Sequence, residues 1–256
     1  MEMIKNVSRW GNSSGILVPK EWQGKQVKVI LIDRTDEIKK EIFSILNDYL
    51  KDIMGIYLVG SYARGEQEEN SDIDIIALSN KTKKEISSGK YNISIYPLES
   101  ARKTIKTNPI MIYPRLFEAQ TILNEKLLQE LIKIEISNKS WKKYVEETKR
   151  IIKINEELMN IDKDLDENET SGGIAYSLLL RLRGILIIKK LPKILYREEF
   201  KNYLKDKIGN EWEKTYNAYQ KKKIQNKEIK IPLVLGQKAL DILKKEVKEY
   251  EKRKKT

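Results

Sequence analysis

Apolar residues recur along this chain in three patterns. Residues 1–33 carry short extended runs punctuated by Gly and Pro. Residues 34–134 alternate helical and extended periods, and residues 138–256 repeat apolar positions almost entirely at helical spacing. In the first region Gly11-Asn12-Ser13-Ser14-Gly15 is a turn-rich cluster and Ile16–Pro19 a short strand. Gln23-Gly24-Lys25 then turns into a strand over Val27–Ile32. About thirty residues of β-structure fall below the roughly 40-residue floor for folding without a staple, so this piece must pack on the rest of the chain or on a second copy.

In the middle region Ile38, Ile42, Ile45, Leu46, Tyr49 and Leu50 share one helical face, with Asp33 or Thr35 placed to cap the start. Ile56–Val59 reads as a buried strand running into Gly60-Ser61-Tyr62-Ala63-Arg64-Gly65. After a polar loop, Asp72–Leu78 reads as a second strand, and Tyr91–Tyr96, ended by Pro97, as a third. In the last region Trp141, Val145, Thr148, Ile152, Asn155 and Leu158 form one stripe, and Ile174, Leu178, Leu182, Ile185 and Leu186 another. The acidic stretch 162–173 separates them. Further helices are predicted over 197–208, 211–223 and 238–252, with Ile231-Pro232 as an interruption, and the stripes together predict a helical bundle. There is no internal repeat and no low-complexity tract.

Composition narrows the chemistry. Among 256 residues there is no cysteine and no histidine. Disulfide scaffolds, thiol catalysis, Ser-His-Asp triads and His-ligated zinc are therefore excluded, and acids, bases and metal ligands must come mainly from Asp and Glu. Fifty basic against 38 acidic residues give a net charge of +12. That excess fits an anionic partner such as nucleic acid or nucleotide. It equally fits the Lys-, Glu- and Ile-rich surface of a thermophile protein. Apolar runs such as Leu178–Leu180 and Ile185–Ile188 are cut by Arg181, Arg183 and Lys189, so no membrane span is expected. The first twelve residues lack the apolar core of a signal peptide, and the expected location is the cytoplasm.

Two features converge in the middle region. Strand alternation puts Asp72 and Asp74 on one side, and two neighbouring carboxylates repel unless a cation sits between them. Such hard oxygen ligands suit Mg²⁺, which takes one or two carboxylates plus phosphate oxygens and water. The Gly60-Ser61 turn frees backbone N–H groups at the start of an expected helix, a setting that binds phosphate. Gly60 permits close approach and Ser61 offers a hydroxyl. Phosphate donors beside a metal are the parts required for nucleotidyl transfer.

The run Gly60-Ser61-Tyr62-Ala63-Arg64-Gly65, followed by Ser71-Asp72-Ile73-Asp74, resembles the minimal nucleotidyltransferases of the DNA polymerase β superfamily. The resemblance implies an α/β fold of the α+β kind, with a mixed sheet and flanking helices. It also implies metal-dependent transfer of a nucleoside monophosphate from a nucleoside triphosphate to a hydroxyl acceptor: an RNA end, a protein hydroxyl or a small molecule. Asp72 and Asp74 then become catalytic metal ligands for Mg²⁺, and Gly60, Ser61, Arg64 and Ser71 the nucleotide-binding set. For Arg64 the alternative is a salt bridge to a loop glutamate. The family pattern calls for a third carboxylate on the following strand, near Ser94, where none stands; Glu99 and Glu118 are the candidate substitutes. Slow transfer, or nucleotide binding without transfer, are the other accounts of that gap.

Earlier in the chain, Gly11-Asn12-Ser13-x-x-Ile16-x-Val18-Pro19-Lys20 and Gly24-Lys25-x-Val27-x-Val29 resemble the AbrB/SpoVT-type swapped-hairpin modules. That resemblance implies an intertwined homodimer, with Arg9, Lys20 and Lys25 as candidate DNA contacts. The expected organisation is thus a β-hairpin module over 1–33, a nucleotidyltransferase domain over 34–134 and a helical domain over 138–256. The helical part is similar to domains that help bind base or acceptor in many members; a HEPN-type ribonuclease motif needs a histidine that the chain lacks. Arg181 and Arg183 read as a rim of the core stripe rather than phosphate contacts, while Tyr216 and Tyr219 beside Lys221–Lys223 offer an RNA-stacking surface or a solvated helix end. The rival to the transferase reading is a DNA-binding regulator whose middle domain only senses nucleotide, and a second rival is a partner protein that modifies or masks another protein.

Overall fold

A computed structural model of the chain describes residues 8–11, 13–28, 35–225 and 229–253. Its elements in order are β1 (Ser8–Trp10), β2 (Ser13–Gly15), α1 (Thr35–Ile45), β3 (Ile53–Val59), α2 (Gly60–Ala63), β4 (Ile73–Ser79), β5 (Lys84–Ser88) and β6 (Tyr91–Pro97). Then follow α3 (Leu98–Thr107), α4 (Tyr113–Phe117), β7 (Gln120–Leu123), α5 (Glu125–Ile132), α6 (Asn138–Asp164), β8 (Glu169–Thr170), α7 (Gly172–Lys190), α8 (Arg197–Ile208), α9 (Trp212–Gln225), β9 (Ile231–Pro232) and α10 (Leu233–Arg253). The chain forms two compact units. One takes the residues up to Arg102 together with Glu118–Lys133; the other takes Lys103–Phe117 and the chain from Ile134 onward.

The first unit is built on a five-stranded mixed sheet of order β5-β6-β4-β3-β7. β4 and β6 run parallel, and every other pairing is antiparallel. Alternation sorts the side chains by face. Ile56 and Leu58 of β3, Ile73, Ile75 and Ala77 of β4, and Ile93 and Ile95 of β6 point to one side. There they form a core with Ile38 and Ile42 of α1 and with Leu46, which follows it. Each such fully buried aliphatic side chain contributes about 1.5–3 kcal/mol. On the other face lie Val59, Asp74 and Asn92, in register across β3, β4 and β6. The strands over 56–59, 72–78 and 91–96 are present as β3, β4 and β6. β5 and β7 were not legible, because KEISS and QTIL carry too few apolar residues at period two.

β7 is held beside β3 by side chains as well as by its ladder. Asn124 caps α5 by accepting the Leu127 N–H at 3.1 Å and donates to the Met54 carbonyl at 2.8 Å, while the Tyr57 hydroxyl donates to the Asn124 carbonyl at 3.0 Å. These bonds return the chain to the sheet after the 103–117 excursion. The N-terminal expectation is corrected in part. Ile16–Pro19 is not a strand; the paired segment is Ser13–Gly15, inside the cluster read as a turn. Of the strand expected over Val27–Ile32, Val27 and Lys28 are irregular and the remainder lies outside the described residues, as do Asn12 and Asp33.

The second unit is helical, as its stripes predict. Its core joins Trp141, Val145, Ile152, Leu178, Leu182, Ile185 and Leu240, with Tyr113 packed against it. Ser137 and Ser171 cap α6 and α7 through the Ser140 and Gly173 N–H groups. Glu246, 5% exposed, is neutralised by Lys189 and accepts the Tyr203 hydroxyl at 2.8 Å. Tyr216 and Tyr219 are 7% and 2% exposed, so they are core side chains and offer no stacking surface. Arg181 lies over the Tyr144 ring at 5.3 Å, in keeping with its reading as a rim of the core. No helix among the described residues is long and apolar enough to cross a membrane.

Candidate active site

The site is assembled where β3 ends and β4 and β6 begin. β3 ends at Val59, which pairs with Asp74. The chain then turns at Gly60, whose φ of +76° lies in the left-handed region. A second constraint acts on the same residue: a Cβ added there would sit 2.4 Å from Asp74 Oδ2. Only glycine accommodates both the backbone and the neighbouring carboxylate. The sequence motif thus corresponds to a real juxtaposition, with the Gly60-Ser61 turn against Asp74. The expected phosphate-binding helix is a single turn, α2.

Asp74 is half-buried within β4, and Asp72 is exposed one residue before the strand starts. Alternation puts both on the same face. Among the described residues no group of three or more acidic side chains is placed to hold a metal. Two carboxylates on one face are hard oxygen donors of the kind that Mg²⁺ takes together with phosphate oxygens and water. A Gly60 side chain would collide with Asp74, so the missing side chain is what lets the turn stand directly against that carboxylate.

The register relocates the gap in the carboxylate set. Asn92, not Ser94, pairs with Asp74, and Ser94 pairs with Ile76 two residues along β6, about 7 Å further on. The Ser94 hydroxyl instead donates to Glu85 Oε2 at 2.6 Å. Asn92 Oδ1 accepts from the Ser87 hydroxyl at 3.2 Å. Glu99 is excluded as a substitute. It opens α3 beyond the opposite end of β6, where Pro97 pairs with Ser79, about 20 Å from Ile73 along the strand, and it pairs with Arg102 at 3.2 Å.

Glu118 does reach the site, but in a different capacity from a free base. Its Oε1 accepts the Gly60 N–H at 2.9 Å, and its Oε2 accepts from Arg64 Nη1 at 2.7 Å. Arg64 Nε donates to Glu66 at 2.7 Å. The salt-bridge alternative for Arg64 therefore describes this structure. Burial alone would lower the Arg64 pKa, but Glu118 and Glu66 more than offset it and the guanidinium is held above its ordinary value. Ser71 closes the polar loop: its hydroxyl accepts the Glu68 N–H at 2.8 Å, and Lys90 Nζ ties the same loop through the Glu69 carbonyl at 2.8 Å. Glu118 follows no motif that spacing could reveal, because it stands 54 residues from Arg64 in sequence.

A cavity of about 460 Å³ lies on the α1 side of the sheet, lined in part by Glu37, Glu41, Tyr62, Lys90 and Tyr91. Burial first, and a hydrogen bond to Glu41 second, push the Tyr91 phenol above the ordinary tyrosine range. Neither Asp72 nor Asp74 lines this cavity, and Asp74 points to the other face of the sheet.

Comparison with known proteins adds to this geometry. Residues 39–169, about half of the chain, match the family model described as a nucleotidyltransferase domain. "Putative protein adenylyltransferase MJ0141" of Methanocaldococcus jannaschii is 39% identical over 89 residues, covering 30% of this chain and 86% of that protein. "Putative protein adenylyltransferase MJ1305" of the same organism is 32% identical over 127 residues, covering 45% and 86% respectively. Among solved structures, a spectinomycin adenyltransferase from Enterococcus faecialis, crystallised with ATP and spectinomycin, aligns with a TM-score of 0.48 and 15% identity over 84% of this chain and 99% of that one.

Proposed function

The chain belongs to the nucleotidyltransferase domain family, a transferase of nucleoside monophosphate from nucleoside triphosphate, and on that premise we propose that Asp72 and Asp74 hold Mg²⁺ while the Gly60-Ser61 turn receives the phosphates of ATP. The observation that carries this reading is the packing of Gly60 against Asp74 Oδ2, which brings the turn and the carboxylate within van der Waals reach. Asp72 and Asp74 supply two hard anionic donors on one face of β4. Gly60 lets a phosphate approach the backbone, and the Ser61 hydroxyl donates to it. Mg²⁺, when bound, neutralises charge on the phosphates. An acceptor hydroxyl attacks the α-phosphorus and gives up its proton to solvent, the bond to the bridging oxygen breaks, and pyrophosphate leaves.

The names of the two archaeal relatives support adenylate as the transferred group and a protein hydroxyl as its acceptor. The test is incubation with each labelled nucleoside triphosphate, Mg²⁺ and a lysate. Label from ATP should enter protein and resist nuclease. Label entering only nucleic acid, or only from another nucleotide, would redirect the assignment.

The uncharged Asn92 in register with Asp74 bears on rate. A carboxylate there would add a metal ligand and an acceptor for the attacking hydroxyl's proton. Asn92→Asp is therefore expected to raise Mg²⁺ affinity by about tenfold, a change comparable with outer-shell substitutions at metal sites, and to speed pyrophosphate release. Titration of Mg²⁺ against both proteins checks it, and equal affinities would show that the gap lies elsewhere. The same asparagine also favours the second reading, a DNA-binding regulator whose middle domain only senses nucleotide. That reading requires salt-dependent duplex binding which persists in Asp72→Asn.

The N-terminal segment fits a dimerisation arm better than a self-sufficient domain. Its described part holds a hairpin of three-residue strands, while Trp10, Leu17, Val18 and Val27 are exposed. A second copy would cover them. Deleting residues 1–33 should convert a dimer to a monomer in sedimentation, and a monomeric intact protein would end this idea.

A further inference from the structure

The motif residues account for the turn and the two aspartates but leave Glu118 without a role, and we infer that Glu118 is a positioning residue for the transfer reaction. The inference rests on the site at Asp72 and Asp74 proposed above. One carboxylate grips α2 at both ends: Glu118 accepts from the Gly60 N–H where the turn begins and from the Arg64 guanidinium where it finishes, at 2.9 and 2.7 Å. Gln120 adds a third hold, its Nε2 donating to the Ala63 carbonyl at 2.9 Å. α2 is four residues long. Helices shorter than about 12–15 residues are marginal by themselves, so its orientation comes from what grips it.

The grip is shielded from solvent. The Arg64 and Glu118 side chains are 10% and 13% exposed. Loss of Glu118 leaves Arg64 with Glu66 alone, on the polar loop, and strips the Gly60 amide of its acceptor. Gly60 has no slack toward the aspartate, since even a Cβ would collide with Asp74 Oδ2. A displacement of Gly60 is therefore transmitted to the Asp74 carboxylate and to Ser61 together. Each Glu118 oxygen accepts from one of these donors, so the carboxylate is oriented by Gly60 and Arg64 and acts through α2.

The test measures ATP binding calorimetrically with Mg²⁺ and with EDTA, for wild type, Asp74→Asn, Glu118→Ala and Glu118→Gln. Mg²⁺ should tighten ATP binding in the wild type. Glu118→Ala should reduce that enhancement by about tenfold or more, the size seen when the support of a metal ligand is removed. Glu118→Gln keeps an acceptor for the Gly60 N–H but loses the ion pair, and should show a smaller reduction. A residue that serves stability alone would lower the melting temperature and leave the enhancement of the folded protein intact, and that result overturns the inference. If Glu118→Ala does not fold, Glu118→Gln decides on the same criterion. The site assignment fails separately, and takes the inference with it, if the wild type shows no Mg²⁺ enhancement or Asp74→Asn retains it.

Discussion

Asp74→Asn is expected to weaken Mg²⁺-dependent ATP binding by about 100-fold or more while leaving the fold in place. Outer-shell partners of a metal are worth about 10–100-fold in affinity, so a direct ligand should sit at or above the upper end. The substitution keeps the size and hydrogen-bonding capacity of the side chain. Neighbours Ile73 and Ile75 remain buried in the α1 core, so the melting temperature should change little. Asp72→Asn should produce a similar loss of affinity with still less effect on stability, because Asp72 is exposed ahead of the strand. Calorimetry with ATP at a series of Mg²⁺ concentrations, alongside thermal unfolding, separates the two effects. Both variants binding as wild type does would remove the aspartates from the site.

Gly60→Ala should be nearly as damaging, for a reason that involves no charge. An L-residue at φ +76° costs about 1–2 kcal/mol in backbone strain. The new methyl would also be driven to 2.4 Å from Asp74 Oδ2, well inside any real contact, so the carboxylate or the turn must move. Displacing a reacting group by about 1 Å can cost about 100-fold in rate. The expected result is a folded but destabilised protein with a loss of Mg²⁺-dependent ATP binding approaching that of Asp74→Asn. Gly65→Ala is the matched control: it carries the same left-handed strain at φ +66° with nothing within 4 Å of its Cβ. It should lose stability but keep binding. Equal binding losses in the two glycine variants would mean that strain, and not the approach to Asp74, governs the site.

How much of this was legible in the sequence follows from what each part depends on. The Gly-Ser turn and the aspartate pair are local: their geometry is set by strand alternation and by a tight turn, and both are written in consecutive residues. The helices of the second unit were equally legible, since their stripes persist over three or more turns. What escaped was set by register and by distant returns of the chain. Sequence places Ser94 at the site because only the parity of β6 can be read from it. The parallel pairing with β4 decides which residue of that parity lies beside Asp74, and it chooses Asn92. Sequence offers Glu118 only as a candidate substitute for the missing carboxylate, not as the partner of Gly60 and Arg64. Its partner Gly60 is 58 residues away, and the ladder that joins them runs through a strand too polar to announce itself. Tyr216 and Tyr219 misled in the opposite sense: lysines follow them closely in sequence, yet the helix turns the rings inward.

The path of the chain also bears on how the protein is made. β3 has Leu58 beside Gln120 of β7, 62 positions later. At about 5–20 residues per second, the ribosome needs roughly 3–12 s to supply that partner. For those seconds β3 has only β4 at one edge, and the apolar Ile56 and Leu58 backbone on the other edge is open to strands of neighbouring nascent chains. The residues made in the interval include 103–117, which belong to the helical unit and cannot close the sheet. A release of synthesis at residue 117 would strand the sheet one element short, with its Gly-Ser turn unheld. A fragment meant to isolate the transferase sheet must therefore extend through Lys133, and it will carry Ile110 and Tyr113, which pack on the helical core in the intact chain, without their cover.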